Sequence, residues 1–234
     1  MNVINSLKKL TRLEKAIWLT SVLVILVSYF VFKGGNLLNV LASLIGVTAL
    51  IFVSKGDVLG QFITVVFSVF YGIISFKFHY YGEMITYMFM TAPMAVAAVV
   101  SWLKNPFNED KSEVAVAPLK KKTLLWGIVL SVVVTVVFYF ILKHFNTKNL
   151  VVSTLSVTTS FLACYLTYCR SSYYALAYAL NDMVLIVLWI LATLTDFSYL
   201  SMVLCFLMFL INDLYGFYNW QRILKKQKEF LEKI

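Results

Sequence analysis

The 234-residue chain is 61% hydrophobic and only 13% charged, with a mean hydropathy of +0.85. A water-soluble fold of this length has no interior large enough for so much apolar side chain, so the composition excludes a soluble globular class. The net charge of +9 lies almost wholly in loops and tails, which marks membrane topology and excludes a nucleic-acid surface.

In a bilayer only helices or closed barrels satisfy the backbone. The runs here are long and unbroken rather than alternating, so helices are expected. Eight segments reach the roughly 17–20 residues that a span needs: 16–32, 37–54, 59–76, 84–102, 123–142, 150–168, 174–194 and 199–220. The first follows Lys8, Lys9, Arg12 and Lys15, like the apolar core of a signal peptide. It is long enough to span and lacks a small-residue cleavage pattern before Lys33-Gly34-Gly35, so a retained helix is expected. Only Ser54-Lys55-Gly56-Asp57 divides the second and third spans, a tight polar turn. Pro93 permits a kink in the fourth. The longest loop, 104–122, carries Asn105-Pro106, Glu109, Asp110, Pro118 and three consecutive lysines, and reads as a flexible linker.

Lys and Arg fall sixteen to four on alternate sides of this arrangement. The rich side holds Lys55, Lys104, Lys111, Arg170, Arg222 and both tails; the poor side holds Lys33, Lys77, Lys143 and Lys148. The positive-inside rule then puts both termini in the cytoplasm. Trp18, Trp102, Trp126 and Trp220 fall at the same helix ends, where indoles anchor to the interface; only Trp189 does not. Cys164, Cys169 and Cys205 lie in or beside apolar runs without CxxC spacing and read as buried apolar residues. His79 and His144 have no partner at metal-ligand spacing, and no cofactor is expected.

The spans group as one extra helix, then three plus one plus three. Helices two to four and six to eight both start on the outer side, after Asn36-Leu37 and Asn149-Leu150, and both turn at a basic residue, Lys55 or Arg170. The expected units are 1–34, an N-terminal basic segment and extra helix; 35–104, the first three-helix unit; 105–148, linker and connecting helix; 149–222, the second unit; and 223–234, a basic tail. The fold class is therefore an all-α integral membrane protein with a parallel-repeat core.

Polar groups at bilayer depth are costly and need a reason. The seventh helix holds Asn181-Asp182 and the eighth Asn212-Asp213, both roughly 11–12 Å from the cytoplasmic end. Tyr174, Tyr178 and Asn181 share one helical face; Met208, Asn212, Tyr215 and Asn219 share another. Such stripes suit a flat ring and the hydroxyls of an attached sugar, or else hold helices together by hydrogen bonds. Asp182 and Asp213 also suit a proton relay. In the first unit Asn39, Gln61, Tyr71, Tyr87 and Thr91 are the polar candidates. No phosphate loop, nucleophile elbow or His–carboxylate pair argues for an enzyme.

Three stretches carry a family resemblance. They are Tyr81-Gly82-Glu83-Met84 through Ala92-Pro93-Met94 to Trp102-Leu103-Lys104-Asn105; Ser153-Thr154-Leu155-Ser156 to Arg170; and Phe209-Leu210-Ile211-Asn212-Asp213-Leu214-Tyr215-Gly216-Phe217-Tyr218-Asn219-Trp220. Over roughly residues 35–225 the chain resembles the PnuC vitamin transporters. The resemblance implies a fold similar to the SWEET sugar transporters, facilitated diffusion of nicotinamide riboside, and trapping by a cytoplasmic kinase. Thiamine, riboflavin or a deoxynucleoside stay open as substrates. It also implies a homotrimer in a bacterial inner membrane, with Asn181, Asn212, Tyr215 and Asn219 lining the site and Trp220 closing its cytoplasmic edge or anchoring the helix. Members typically place tryptophans at the start of the seventh helix; here Tyr173-Tyr174-Ala175-Leu176-Ala177-Tyr178 stands there, so tyrosine would stack the ring.

Overall fold

The computed structural model describes residues 6, 8–32, 37–77, 79, 81–107 and 113–233. Eight of its helices are long and apolar enough to cross a membrane. They are α1 (Arg12–Phe32), α2 (Leu37–Ser54), α3 (Val58–Lys77), α4 (Tyr81–Lys104), α5 (Lys121–His144), α6 (Leu150–Tyr168), α7 (Tyr174–Thr193) and α8 (Leu200–Leu231). The expected turn at Lys33-Gly34-Gly35 and Asn36, and the loop residues Glu109, Asp110 and Lys111, lie outside the described residues.

Six helices close a ring. In order around it α2 packs on α3, α3 on α4, α4 on α6, α6 on α7, α7 on α8, and α8 on α2. The helices expected to form the first unit, α2–α4, thus meet those of the second, α6–α8, at two seams. The remaining two helices lie outside. Helix α1 packs on both α2 and α8, and α5 packs along α6. Helix α5 also reaches α4, where Leu142 fills the space beside Gly82 and Phe138 clusters with Met90. With eight antiparallel spans both termini lie at one end of the bundle, here the terminal end; the opposite end is the far end.

Helix α1 begins with a capping box: Glu14 N–H donates to Thr11 Oγ1 at 3.3 Å, and Thr11 N–H donates to Glu14 Oε2 at 2.6 Å. Its buried residues include Glu14, Ser21 and Ser28, seven apart and on one face, so the polar stripe points inward while Leu19, Leu23, Val27 and Val31 face outward. Small residues do the same for α5. A Cβ at Gly127 would stand 2.9 Å from the Tyr165 ring, so glycine is what lets α5 and α6 approach.

Two equivalent turns join helices at the terminal end. At Gly56 (φ 69°) and at Arg170 (φ 57°) the chain turns left-handed, and in each case two N–H groups return to the helix just ended. Gly56 and Asp57 donate to Val53 and Phe52; Arg170 and Ser171 donate to Thr167 and Leu166. These are Schellman closures, one on glycine and one on arginine. Helix α4 departs from regularity where the sequence says it must. Pro93 has no N–H for the carbonyl four residues back, and residues Tyr87–Thr91 widen into a π turn, with Ala92 N–H donating to Tyr87 O.

The described part of the 104–122 loop is bonded in place rather than a free linker, which corrects that expectation. It crosses beneath both turns, Val114 N–H donating to Gly56 O at 3.0 Å and Ala117 N–H to Arg170 O at 2.9 Å. Val114 is fully buried. Helix α8 runs eleven residues past Trp220, and there Gln227 holds the strap. Its amide donates to Val114 O at 3.0 Å and to Glu113 Oε1 at 3.1 Å, and its carbonyl accepts from Val116 N–H at 2.8 Å.

Candidate transport path

The ring interior is closed at the terminal end by aromatic side chains. Trp102 on α4 and Trp220 on α8 are both 0% exposed, with ring centroids 5.4 Å apart, and Tyr174 lies 4.6 Å from Trp220. The expectation that these two tryptophans anchor at the bilayer surface is therefore corrected. Each indole finds its hydrogen-bond partner inside the protein, at the frayed carbonyls of a helix end in the opposite unit. Trp102 Nε1 donates to Thr167 O at 3.0 Å, and Trp220 Nε1 donates to Val53 O at 2.9 Å. The preceding residue repeats the pattern. Ser101 Oγ donates to Tyr168 O at 2.7 Å, and Asn219 Nδ2 donates to Ser54 O at 2.9 Å. Both seams carry the same pair of braces. Of the other two tryptophans expected as anchors, Trp126 is exposed, while Trp18 Nε1 donates to Thr48 Oγ1 on α2 at 3.1 Å.

Above this floor the interior is polar and aromatic. Gln61, Thr91, Cys164, Thr167 and Tyr178 line a small cavity between α3, α4, α6 and α7. It has room for about one water molecule, far below the hundreds of Å³ of a ligand pocket. Tyr178 Oη and Cys164 Sγ are 3.2 Å apart. One level higher Asp182 on α7 and Asp213 on α8 are both buried and within electrostatic reach of each other. Asp182 is within electrostatic reach of Tyr87 on α4, across the ring, and of Cys205 on α8. Nearer the far end the Tyr71 and Tyr87 rings meet at a tilt of 52° with centroids 4.5 Å apart, and Tyr71 Oη donates to Glu83 Oε2 at 3.0 Å. Tyr71, Glu83 and Tyr87 are half-buried, whereas the terminal floor is fully buried.

The residues singled out from sequence go to different places in the fold. Gln61, Tyr178, Asp182 and Asp213 come together around the interior. Asn181 is adjacent but accepts from Thr159 Oγ1 of α6 at 2.8 Å, and Tyr174 belongs to the floor with Trp220 and Asn219. Asn212 and Tyr215, expected in the site, turn instead toward α1. Asn212 Nδ2 donates to Ser21 Oγ at 2.9 Å and to Met208 O at 2.7 Å, and Tyr215 Oη donates to Glu14 Oε1 at 3.0 Å. Glu14 also meets Lys55 at 3.2 Å. Asn39 lines a separate small space between α1, α2 and α8 with Ser28, Ser43 and Cys205. Glu83 was not singled out because it stands one residue before the apolar run began. Its twelve-residue separation from Tyr71 spans the turn between α3 and α4, which no single-helix pattern exposes.

Comparison with known proteins points one way. The profile of the nicotinamide mononucleotide transporter family matches residues 36–222. The nicotinamide riboside transporter PnuC of Neisseria mucosa is 26% identical over 216 residues, covering 91% of this chain and 82% of that protein. The protein of the same name from Haemophilus influenzae is 23% identical over 213 residues, 91% of each. The crystal structure of the vitamin B3 transporter PnuC has the same fold, with a TM-score of 0.78 at 24% identity over 93% of this chain and 94% of the other.

Proposed function

The chain belongs to the nicotinamide mononucleotide transporter family, and from that membership we propose that it carries nicotinamide riboside across the membrane by facilitated diffusion. The observation that carries this reading is the polar and aromatic column inside a closed ring of six spans. Gln61, Tyr178, Asp182, Asp213 and Tyr87 supply what a sugar-bearing ring needs, namely amide and carboxyl groups for hydroxyls and aromatic faces for the base. The riboside is favoured over the mononucleotide of the family's name. A phosphate wants Arg or Lys, and no Lys or Arg stands in the runs 37–54, 58–76, 81–103, 150–169 or 174–221.

Two parallel three-helix units, related as an internal repeat, rock about the seams to expose the column to one side and then the other. The matched braces, Ser101–Trp102 onto α6 and Asn219–Trp220 onto α2, support this reading, as do the matched turns at Gly56 and Arg170. The terminal end faces the cytoplasm, in accord with the excess of Lys and Arg there. A cytoplasmic kinase phosphorylates the arriving riboside and prevents its return. The protein works as a homotrimer in a bacterial inner membrane, and the exposed apolar face of α5 (Leu125, Val132, Phe140) offers surface for lipid or a neighbouring copy.

Uptake of labelled nicotinamide riboside into proteoliposomes tests the reading, with thiamine, riboflavin and deoxynucleosides as competitors. Saturable uptake that unlabelled riboside abolishes is expected. Wild-type protein that admits thiamine or a deoxynucleoside but not the riboside has another substrate.

A further inference from the structure

The strap is bonded to both three-helix units at once, directly beneath the aromatic floor. On the side of the first unit it folds back along the end of α4. Phe107 N–H donates to Glu113 O at 2.8 Å, Ala115 N–H to Asn105 O at 2.9 Å, and Val114 N–H to Gly56 O at 3.0 Å. On the side of the second unit Ala117 N–H donates to Arg170 O at 2.9 Å, the Arg170 guanidinium donates to Ala115 O at 3.3 Å, and Gln227 of α8 makes its three bonds. Between these ties the Val114 side chain is a peg in the floor itself. It is fully buried in one apolar cluster with Val53, Val58 and Trp102 of the first unit and Tyr174 and Trp220 of the second. The turn at Arg170 gives a separate sign. Its counterpart in the first unit uses Gly56, for which a left-handed backbone is cheap, whereas an arginine at φ 57° is strained. Strain held at one residue points to a role for it, and the role here is the guanidinium bond to the strap.

We propose that the strap is the latch of the terminal end, travelling with the first unit and releasing Arg170 and Gln227 of the second each time that end opens. The proposal rests on the rocking of the two units given above and adds what sets the balance between the closed and the open end. The fold-back on Asn105 keeps the strap with α4. The bonds to Arg170 and Gln227, and the seating of Val114 against Tyr174 and Trp220, then belong to the closed end alone. Removing one of them destabilises the closed end and not the open one, so the population shifts toward opening.

Cys164, on the wall of the small cavity above the floor, reports the opening, with Cys169 and Cys205 changed to alanine. A membrane-impermeant methanethiosulfonate is applied to membrane vesicles of the full chain from the terminal side and, separately, from the far side. Protease access to a C-terminal tag fixes which face is outward. In Gln227→Ala and in Arg170→Gly, Cys164 is expected to react from the terminal side at least about fivefold faster than in the otherwise unchanged chain, a factor that one lost hydrogen bond supplies. From the far side it is expected to react no faster. Arg170→Gly carries the test alone if Gln227→Ala does not elute from detergent as one monodisperse peak, since glycine suits that left-handed turn. An unchanged rate from the terminal side in a folded variant overturns the latch and leaves the rocking path standing. A rate that rises from both sides also overturns it, because general loosening of the fold, and not release of one end, gives that result. A Cys164 reached from neither side in any of these proteins, with or without nicotinamide riboside, overturns the rocking path, and this inference with it.

Discussion

At the scale of single residues, the side chain's direction decided its role where its identity did not. Asn212 and Tyr215 have the chemistry of a sugar-binding residue, yet both are committed to α1, through Ser21 and Glu14. If that is their work, Ser21→Ala removes one interhelical hydrogen bond and nothing from the path. Such bonds in membrane proteins average about 0.6 kcal/mol and reach about 1.7. The variant is expected to lower the thermal midpoint by a few degrees in detergent and to leave the KM for uptake unchanged; a KM raised severalfold would place Asn212 in the path after all. The equal depth of the two Asn-Asp pairs was legible in the sequence, because rise per residue converts position to depth. Which of the four faces the interior was not, since that depends on α1 docking against α8 from nearly two hundred residues away. Trp102 and Trp220 show the same limit. Their place at helix ends read as interfacial, and only the opposite unit's carbonyls, invisible to any local pattern, account for their burial.

At the scale of elements, hydropathy found all eight spans, and the limits 37–54 and 150–168 coincide with α2 and α6. The bilayer makes this possible, because every spanning segment must be both apolar and helical. Hydropathy carries no such signal where a helix leaves the membrane. Beyond Trp220 the sequence is basic and reads as a tail, yet α8 continues to Leu231 because Gln227 reaches the strap. The strap itself, with its prolines and charges, looked mobile; its bonds to Gly56 and Arg170 form only once both turns exist. Gln227→Ala breaks three hydrogen bonds at a buried position and leaves the Val114 carbonyl and Val116 N–H without their partners. Each orphaned group costs about 1–3 kcal/mol. Limited proteolysis in detergent is expected to cut residues 113–117 at least severalfold faster than in wild type, and equal cleavage rates would show that Gln227 does not hold the strap.

At the scale of the whole molecule, two sets of three helices meet at two seams, and a tryptophan with the polar residue before it braces each seam at the terminal end. A carrier that rocks must break such braces in every cycle, so they should be individually modest, and a few neutral hydrogen bonds of about 0.5–1.5 kcal/mol each satisfy that condition. The floor of Trp102, Trp220 and Tyr174 shuts the terminal end, while Tyr71, Tyr87 and Glu83 lie half-buried nearer the far end. The most direct measurement ties one seam shut. Cysteines replace Ser101 and Tyr168, whose side chain and carbonyl meet across α4 and α6, in a background with Cys164, Cys169 and Cys205 changed to alanine. A short bifunctional methanethiosulfonate then links them in proteoliposomes. Uptake of labelled nicotinamide riboside is expected to collapse on linking and to return when the link is reduced. Uptake that continues at the unlinked rate would contradict a path that opens by parting the two units at this end.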